Sequence, residues 1–482
     1  MRAVGVFVAT SLTACSFAPP EKQPPMPIPA HYKEAREWRA VSDDMLLTSK
    51  TPWWARYKDH TLNTLEQKIS CHNQPLKIAL AQFQEASALA QVVRSALYPT
   101  VLGIGNASRQ QLSTNVATSA GTPITRYNAF FLGPQISYEL DAWGRVRNAV
   151  TASNNLVRAS AFDLATMELS MRAELANDYF TLRGLDEAQR VLDSTVRAYK
   201  KAFYLTRKRY DGGASPILDV LQAKTQLESA KTYAIDMQLQ RATLEHAIAV
   251  LVGEIPANFS IAPTHKPFTL VTISPRLPST LLVRRPDIAA ALLRVKSANA
   301  SIGVARAAFF PDINLMGILA GQSSRLSNLF SASSLFWSLG PPSTLALVQP
   351  MMSVVLFDGY QLQGLLKHAK ARYFETVSHY RQTVLTAFQQ VEDNLVAIRR
   401  LDQELQTQTA AMKAAQRAFF QANQRYVGGI ATYLDVIITE NEALQSELAL
   451  IFLRTRRQVA SVQLIRALGG GWSSVDSIGP PI

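Results

Sequence analysis

From residue 164 onward, apolar or small side chains recur at 164, 167, 171, 175, 179, 182 and 185 and continue in steps of three or four to 210. The mean step is about 3.5 residues, the period of a left-handed coiled coil. No proline falls between Trp143-Gly144-Arg145 and Pro216, and Gly184 is the one glycine before Gly212. The pattern predicts a helix from Gly144 to Tyr210, about 100 Å long at 1.5 Å per residue. Ala188 and Thr206 are its weak seam members. A stretch from Gly359 to Tyr426 has nearly the same extent, and Pro216–Val252 and Thr432–Leu468 predict returning helices. Upstream, helical signals begin near Thr61 and run through Leu76 to Leu97 until Tyr98-Pro99 stops them.

Elsewhere the period is two. Phe130, Leu132, Ile136, Tyr138 and Leu140 alternate with Gly133, Gln135, Ser137, Glu139 and Asp141, a strand with one apolar and one polar face. Thr100 to Ser108 is a weaker strand whose companion face is largely glycine. Ile313, Leu315 and Leu319 alternate with Asp312 and Asn314 after Phe310-Pro311. The predicted strands are about 98–110, 128–142, 310–325 and 335–357.

The two halves repeat one another. Arg209-Tyr210-Asp211-Gly212-Gly213 with Leu218-Asp219-Val220 returns as Arg425-Tyr426-Val427-Gly428-Gly429 with Leu434-Asp435-Val436, at a displacement of 216. Arg183 and Arg399, Asp186 and Asp402, and Gly253 and Gly469 hold the same register. Each half reads helix, strand, strand, long helix, sharp turn, helix. Near Gly340-Pro341 the register slips, and Pro342 to Gln349 covers eight extra residues, so the fourth strand's boundaries are left open.

Composition adds a destination. Arg2 followed by the apolar stretch Ala3 to Thr10 reads as a short secretory signal, too short to span a bilayer. It ends in Leu12-Thr13-Ala14-Cys15, which resembles the bacterial lipobox. That resemblance implies a covalent lipid on Cys15, and Ser16 after it, in place of Asp, favours the outer membrane. Six prolines between 16 and 30 predict a stiff extended tether. Only Cys71 remains beyond Cys15, so the mature chain has no intrachain disulfide.

A one-sided apolar strand in a secreted lipoprotein is material for an outer-membrane β-barrel, because a sheet in lipid leaves no open edge. Four strands cannot enclose a lumen, so several copies must share one barrel. The formal charge of +13 is spread along predicted helices, densest at Arg207-Lys208-Arg209 and Arg454 to Arg457, and no nucleic-acid-binding module accompanies it. The chain has no HExxH, CxxC, GxSxG or GxxxxGK[ST], and its seven histidines form no i, i+4 pair. The expectation is no enzyme, no metal, no cofactor beyond the lipid, and no nucleic acid.

Leu277-Pro278-Ser279, Leu281-Leu282, Arg284-Arg285-Pro286-Asp287-Ile288, Ile302-Gly303-Val304-Ala305-Arg306-Ala307 and Phe309-Phe310-Pro311 resemble the lipoprotein (NodT-type) branch of the outer-membrane factor, or TolC-like, channels. Leu140-Asp141 and Leu356-Phe357-Asp358-Gly359 resemble that family's strand-to-helix junctions. The resemblance covers essentially the whole chain. It implies a mainly α, TolC-like fold with a β-barrel portion: a homotrimer with a 12-stranded barrel and a long α-helical barrel crossing the periplasm of a Gram-negative cell. The implied partners are a periplasmic membrane-fusion adaptor and an inner-membrane pump of the proton-driven RND type. The implied function is passive conduction of drugs or other small toxic compounds. A lipid-anchored periplasmic scaffold and a channel for type I-like protein secretion are the alternative readings.

The expected organisation is a signal peptide at 1–14, an acylated and Pro-rich segment at 15–60, a first repeat at 61–253, a linker at 254–284, a second repeat at 285–469 and a tail at 470–482. In the resembled family the duplicated turns, 209–216 and 425–432 here, form the periplasmic mouth, where adaptor tips dock. The matching residues are Arg209, Tyr210, Gly212, Gly213 and Asp219, with Arg425, Tyr426, Gly428, Gly429 and Asp435. The paired glycines are expected to take the positive φ that reverses the chain. Tyr426 and Asp435, with Arg425 or Arg209, are expected to hold the resting end closed. Ile438 stands where some members of the resembled family carry an additional acidic residue, and Ala431 lacks a charge.

Overall fold

In a computed structural model the structure describes residues 16–35, 52–111, 126–264, 271, 281–282, 284–340, 352–470 and 472. The signal, Cys15, the eight extra residues at 342–349 and nearly all of the tail lie outside them. Twelve regular elements follow in order: α1 His60–His72, α2 Gln74–Ser95, β1 Thr100–Gln111, β2 Arg126–Glu139, α3 Arg145–Asp211, α4 Ile217–Leu251, α5 Pro286–Ala307, β3 Asp312–Ser323, β4 Leu335–Leu339, β5 Met352–Ser353, α6 Gln361–Val427 and α7 Tyr433–Ala467. The single helix expected from Thr61 to Leu97 is broken at Asn73. Its backbone is extended, and its side chain accepts from Leu76 N (2.9 Å), which caps α2.

The chain divides into two units. One, from Met1–Pro24, Phe83–Ser160 and Ala291–Tyr380, holds the sheet. Its order is β1-β2-β3-β4, all antiparallel, with β5 also on β3. β2 pairs Gly317 from one side while β4 pairs it from the other, so β4 and β5 lie in tandem along one edge of β3. Of the fourth strand, expected over 335–357, the described residues show Leu335–Leu339 and Met352–Ser353, and 341–351 lie outside them. Gly133 sits against the β3 backbone at Leu319 and Ala320, where a Cβ would not fit. Pro134 beside it lacks an N–H for the ladder. Leu132, Ile136 and Leu140 are exposed while Gln135 and Ser137 are half-buried, so the apolar face of β2 is the outer one.

The expected stiff, extended tether packs on this unit. Ser16 Oγ donates to Asn148 Oδ1 (3.0 Å), and the Phe17 ring stacks 4.4 Å from Phe310. Arg306 holds the Phe17 carbonyl (3.1 Å), Asn299 the Pro19 carbonyl (2.8 Å), and Lys296 pairs with Glu21. Gly303 provides the clearance, since a Cβ there would meet Asn148 and Ala18. Prolines fix the strap's extended path, but its side chains pack. Trp143, 5.1 Å from the same Phe310 ring, donates its indole N–H to Pro311 O (2.8 Å) and so ties the β2-to-α3 junction to the α5-to-β3 junction.

The second unit, from Pro25–Gln82, Ala161–Ala290 and Arg381–Ile482, contains the packed helices. Ala188 and Thr206, the weak seam members, are both buried. Ala188 lies with Val191 and Leu192 of α3, Ala234 of α4 and Leu444 and Ile451 of α7 in one cluster. A small residue there admits the larger chains of the neighbouring helix.

The 216-residue register reappears as duplicated ion pairs. Arg183 of α3 binds Asp59 (2.9 Å), and Arg399 of α6 binds Glu34, both acids coming from the N-terminal segment. Arg241 of α4 binds Asp186 (2.6 Å) and the Ile261 carbonyl (2.5 Å). Arg457 of α7 binds Asp402 (3.0 Å) and the Val271 carbonyl (2.9 Å).

Candidate functional site

Both hairpin turns close identically. At the end of α3, Gly212 N donates to Lys208 O (3.1 Å), Gly213 N to Tyr210 O (2.9 Å) and Ala214 N to Arg209 O (2.7 Å). At the end of α6, Gly428 N donates to Gln424 O (3.0 Å), Gly429 N to Tyr426 O (3.0 Å) and Ile430 N to Arg425 O (2.9 Å). The six-to-one bond satisfies carbonyls that the helix end would leave orphaned. Positive φ is confined to the second glycine of each pair, Gly213 at 72° and Gly429 at 73°. The expectation for both glycines is thus corrected: Gly212 and Gly428 still make a helical bond to the residue four back.

The returning helices start differently. Thr432 caps α7, its hydroxyl accepting from Asp435 N (3.4 Å) while Asp435 Oδ2 accepts from Thr432 N (3.0 Å) and Oγ1 (2.8 Å). That is a reciprocal capping box. Hydrogen bonds from Thr432, more than the charge of Arg425, hold the Asp435 carboxyl below the usual carboxylate range. In α4 the same position is Pro216, which has no side-chain cap, and Asp219 N reaches only the Pro216 carbonyl (3.2 Å). Asp435 is thereby bound into its own helix start, and among the described residues no ion pair joins it to Arg209 or Arg425.

What joins the hairpins is aromatic. The Arg209 guanidinium lies 5.2 Å from the centre of the Tyr426 ring, a cation–π contact from the first turn to the second. Tyr426 lies 5.4 Å from Tyr433. Tyr433, Val436 and Ile437 are buried with Ala223 of α4, and Phe203 and Phe419 pack against them. Tyr210 and Arg425 are exposed and Asp219 is half-exposed. About two turns into α7, Gln226 and Asn441 exchange side-chain amide bonds (2.7 and 3.3 Å), and Gln226 also donates to Tyr199 Oη (3.1 Å). Glu440 occupies the seam row of Tyr433, Ile437 and Leu444, half-buried, and burial pushes its carboxyl up to about 7.

The sequence reading passed over Tyr433, Glu440 and the Phe203–Phe419 pair. Phe203 and Phe419 were discoverable, since they match at 216 and Phe203 stands on the 3.5-residue stripe. Among the described residues no group of His, Cys, Asp and Glu is arranged to hold a metal ion.

A sheet with its apolar face outward and two 67-residue helices that end in paired hairpins define the class of outer-membrane channels. The model of the outer membrane efflux protein family matches residues 65–254 and 277–470, and the chain belongs to that family. A curated relative from Pseudomonas putida, described as the probable efflux pump outer membrane protein TtgC, is 30% identical over 471 residues, 98% of this chain and 95% of its own. A crystal structure of a membrane protein from Pseudomonas aeruginosa superposes with a TM-score of 0.86 at 29% identity, covering 95% of this chain and 98% of that one. The open state of the MtrE outer membrane channel of Neisseria gonorrhoeae gives a TM-score of 0.81 at 26% identity, with 95% and 98% covered. The fold is TolC-like, and the protein is an outer-membrane channel component of an efflux system.

Proposed function

We propose that three copies of this chain form the outer-membrane exit duct of a tripartite pump, passively conducting drugs or other small toxic compounds received through a periplasmic adaptor from a proton-driven RND-type pump. The observation that carries the multi-copy reading is the sheet. Its outer face is apolar, yet among the described residues β1 is paired on one side only and β4 and β5 cover only parts of β3. In lipid such edges must be closed by strands of other copies, and three copies with four strand positions each give about twelve. A periplasmic scaffold has no use for the exposed Leu132, Ile136 and Leu140. Purified protein should migrate as a heat-modifiable trimer and give single-channel currents in planar bilayers; a monomer without conductance refutes the duct.

Lipid attachment at Cys15 is part of the same proposal. The lipobox-like Leu12-Thr13-Ala14-Cys15 supports this reading, and Ser16 and Phe17 after it pack on Asn148 and Phe310. Cys15→Ser should abolish labelling by radioactive fatty acid, and persistent labelling overturns the anchor.

The hairpin turns are proposed as the periplasmic gate and the region of adaptor docking. Arg209 on Tyr426 and the Tyr433 cluster support a latch between hairpins. Asp435 supports it only by starting α7. Arg209→Ala should raise resting conductance, whereas Tyr426→Phe, which keeps a ring under the cation, should change it little. Equal conductance in Arg209→Ala and the unmodified channel removes Arg209 from the gate.

A further inference from the structure

The last four turns of α3 carry six cations, Arg197, Lys200, Lys201, Arg207, Lys208 and Arg209, against one acid, Asp211. Arg197, Lys201, Tyr204 and Lys208 follow one another at four, three and four residues and therefore share a helix face. All four are exposed, and Lys208 Nζ stands 5.8 Å above the Tyr204 ring. Lys200 and the exposed Leu205 flank the face. Arg207 is paired with Asp211 (3.3 Å) and Arg209 rests on Tyr426. Arg197, Lys200, Lys201 and Lys208 pair with no carboxylate among the described residues.

The duplication supplies an internal control. At the matching positions α6 keeps Lys413 and Arg417 but has Gln416, Phe420, Asn423 and Gln424 where α3 has Lys200, Tyr204, Arg207 and Lys208. Both helices end in the same hydrogen-bonded turn with the same left-handed glycine. The added cations are therefore not required to build the hairpin, and their mutual repulsion opposes it. Unpaired charge retained beside an exposed ring and an exposed leucine suits a partner that brings carboxylates and an apolar contact together.

We propose that the Arg197, Lys201, Tyr204 and Lys208 face, with Lys200, docks an acidic helical segment of the periplasmic adaptor, and that the second hairpin lacks this surface. This rests on the reading of the hairpins as the adaptor-facing end. Carboxylates spaced i, i+3 or i+4 on the incoming helix match the spacing of the cations, since such positions lie about 5–6 Å apart. Each exposed pair contributes up to about fivefold in affinity, so the contact depends on several acting together and weakens with salt.

The test is photocrosslinking in cells expressing the full chain, with a benzophenone amino acid placed at Tyr204, Phe420 or Tyr210 and the crosslinked peptides sequenced. Tyr204 should capture an acidic helical stretch of the adaptor and Phe420 should not. Lys200→Glu with Lys208→Glu should reduce the Tyr204 crosslink at least tenfold at unchanged outer-membrane level, and Lys200→Arg with Lys208→Arg should retain it. Equal capture at Tyr204 and Phe420, survival of the crosslink after charge reversal, or capture of a second copy of this chain at Tyr204 overturns the proposal. Adaptor captured at Tyr210 alone leaves the hairpin-facing reading in place while refuting this face; adaptor captured at none of the three sites refutes that reading as well.

Discussion

Arg241→Met and Arg457→Met remove the same guanidinium from the two repeats, and the structure assigns them unequal costs. Asp186, the partner of Arg241, has 1% of its side chain exposed, whereas Asp402, the partner of Arg457, has 46% exposed. Without Arg241, Asp186 keeps only the Thr264 N–H (3.2 Å) and is left as an uncompensated buried charge. Breaking a buried pair this way costs about 3–5 kcal/mol. Without Arg457, Asp402 turns to water, and the loss is nearer the 0–1 kcal/mol of an exposed pair, plus about 1 kcal/mol for the Val271 carbonyl bond. Replacing both partners, Arg241→Met with Asp186→Leu, should recover most of the first loss, because it leaves no orphaned charge. At roughly 2 °C per kcal/mol, thermal unfolding in detergent followed by intrinsic fluorescence should drop by about 6–10 °C for Arg241→Met and about 2–4 °C for Arg457→Met. Equal drops, or a double variant no better than Arg241→Met, would refute the reasoning from burial.

Gly213→Ala and Gly429→Ala should each cost about 1–2 kcal/mol from the left-handed backbone alone, since a Cβ meets nothing within 4 Å at either site. Gly212→Ala and Gly428→Ala should cost less, and limited trypsin cleavage after Arg209 or Arg425 will rank the four variants. Thr432→Ala should lose about 1 kcal/mol through the cap and speed amide exchange in the first turn of α7, with no counterpart in α4, where Pro216 makes no side-chain cap. Glu440, raised from an ordinary 4.5 to about 7, binds more protons folded than unfolded between those values. Its contribution therefore falls as pH rises through that window and levels off above it. Unfolding temperatures measured from pH 5 to 8 should decline less in Glu440→Gln than in the unmodified protein; parallel profiles exclude Glu440 as the source.

Helix extents were legible because α3 is free of proline and carries a sustained seam, and α6 repeats its length. Local signals failed where a tertiary partner decides. The prolines of 16–30 announced an extended path but not that Phe17 would stack on Phe310, because a contact nearly three hundred residues away leaves no trace in composition. Asn73 looked like one more helix residue; its side chain instead bonds Leu76 N and breaks the helix. At the turns, the repeated Gly-Gly was visible, but which glycine is left-handed depends on a hydrogen-bond ring that closes at the second. Asp435 was expected as a latch, yet Thr432, three residues earlier, satisfies it in a capping box, a local motif available in the sequence and outweighed by the family resemblance. The contact between the hairpins, Arg209 on Tyr426, crosses between repeats and follows from neither copy alone.

The N-terminal segment supplies one acid to each repeat, Asp59 to Arg183 and Glu34 to Arg399. The gene therefore cannot be cut cleanly at its seam. A chain ending after the first repeat would keep both acids with only one arginine to receive them, and a chain starting at the second repeat would inherit a buttress with its counter-charge missing. Coexpressed halves would have to exchange Glu34 across a broken backbone, so fission or half-for-half swapping between relatives carries a penalty in this strap that alignment of the repeats alone would not reveal.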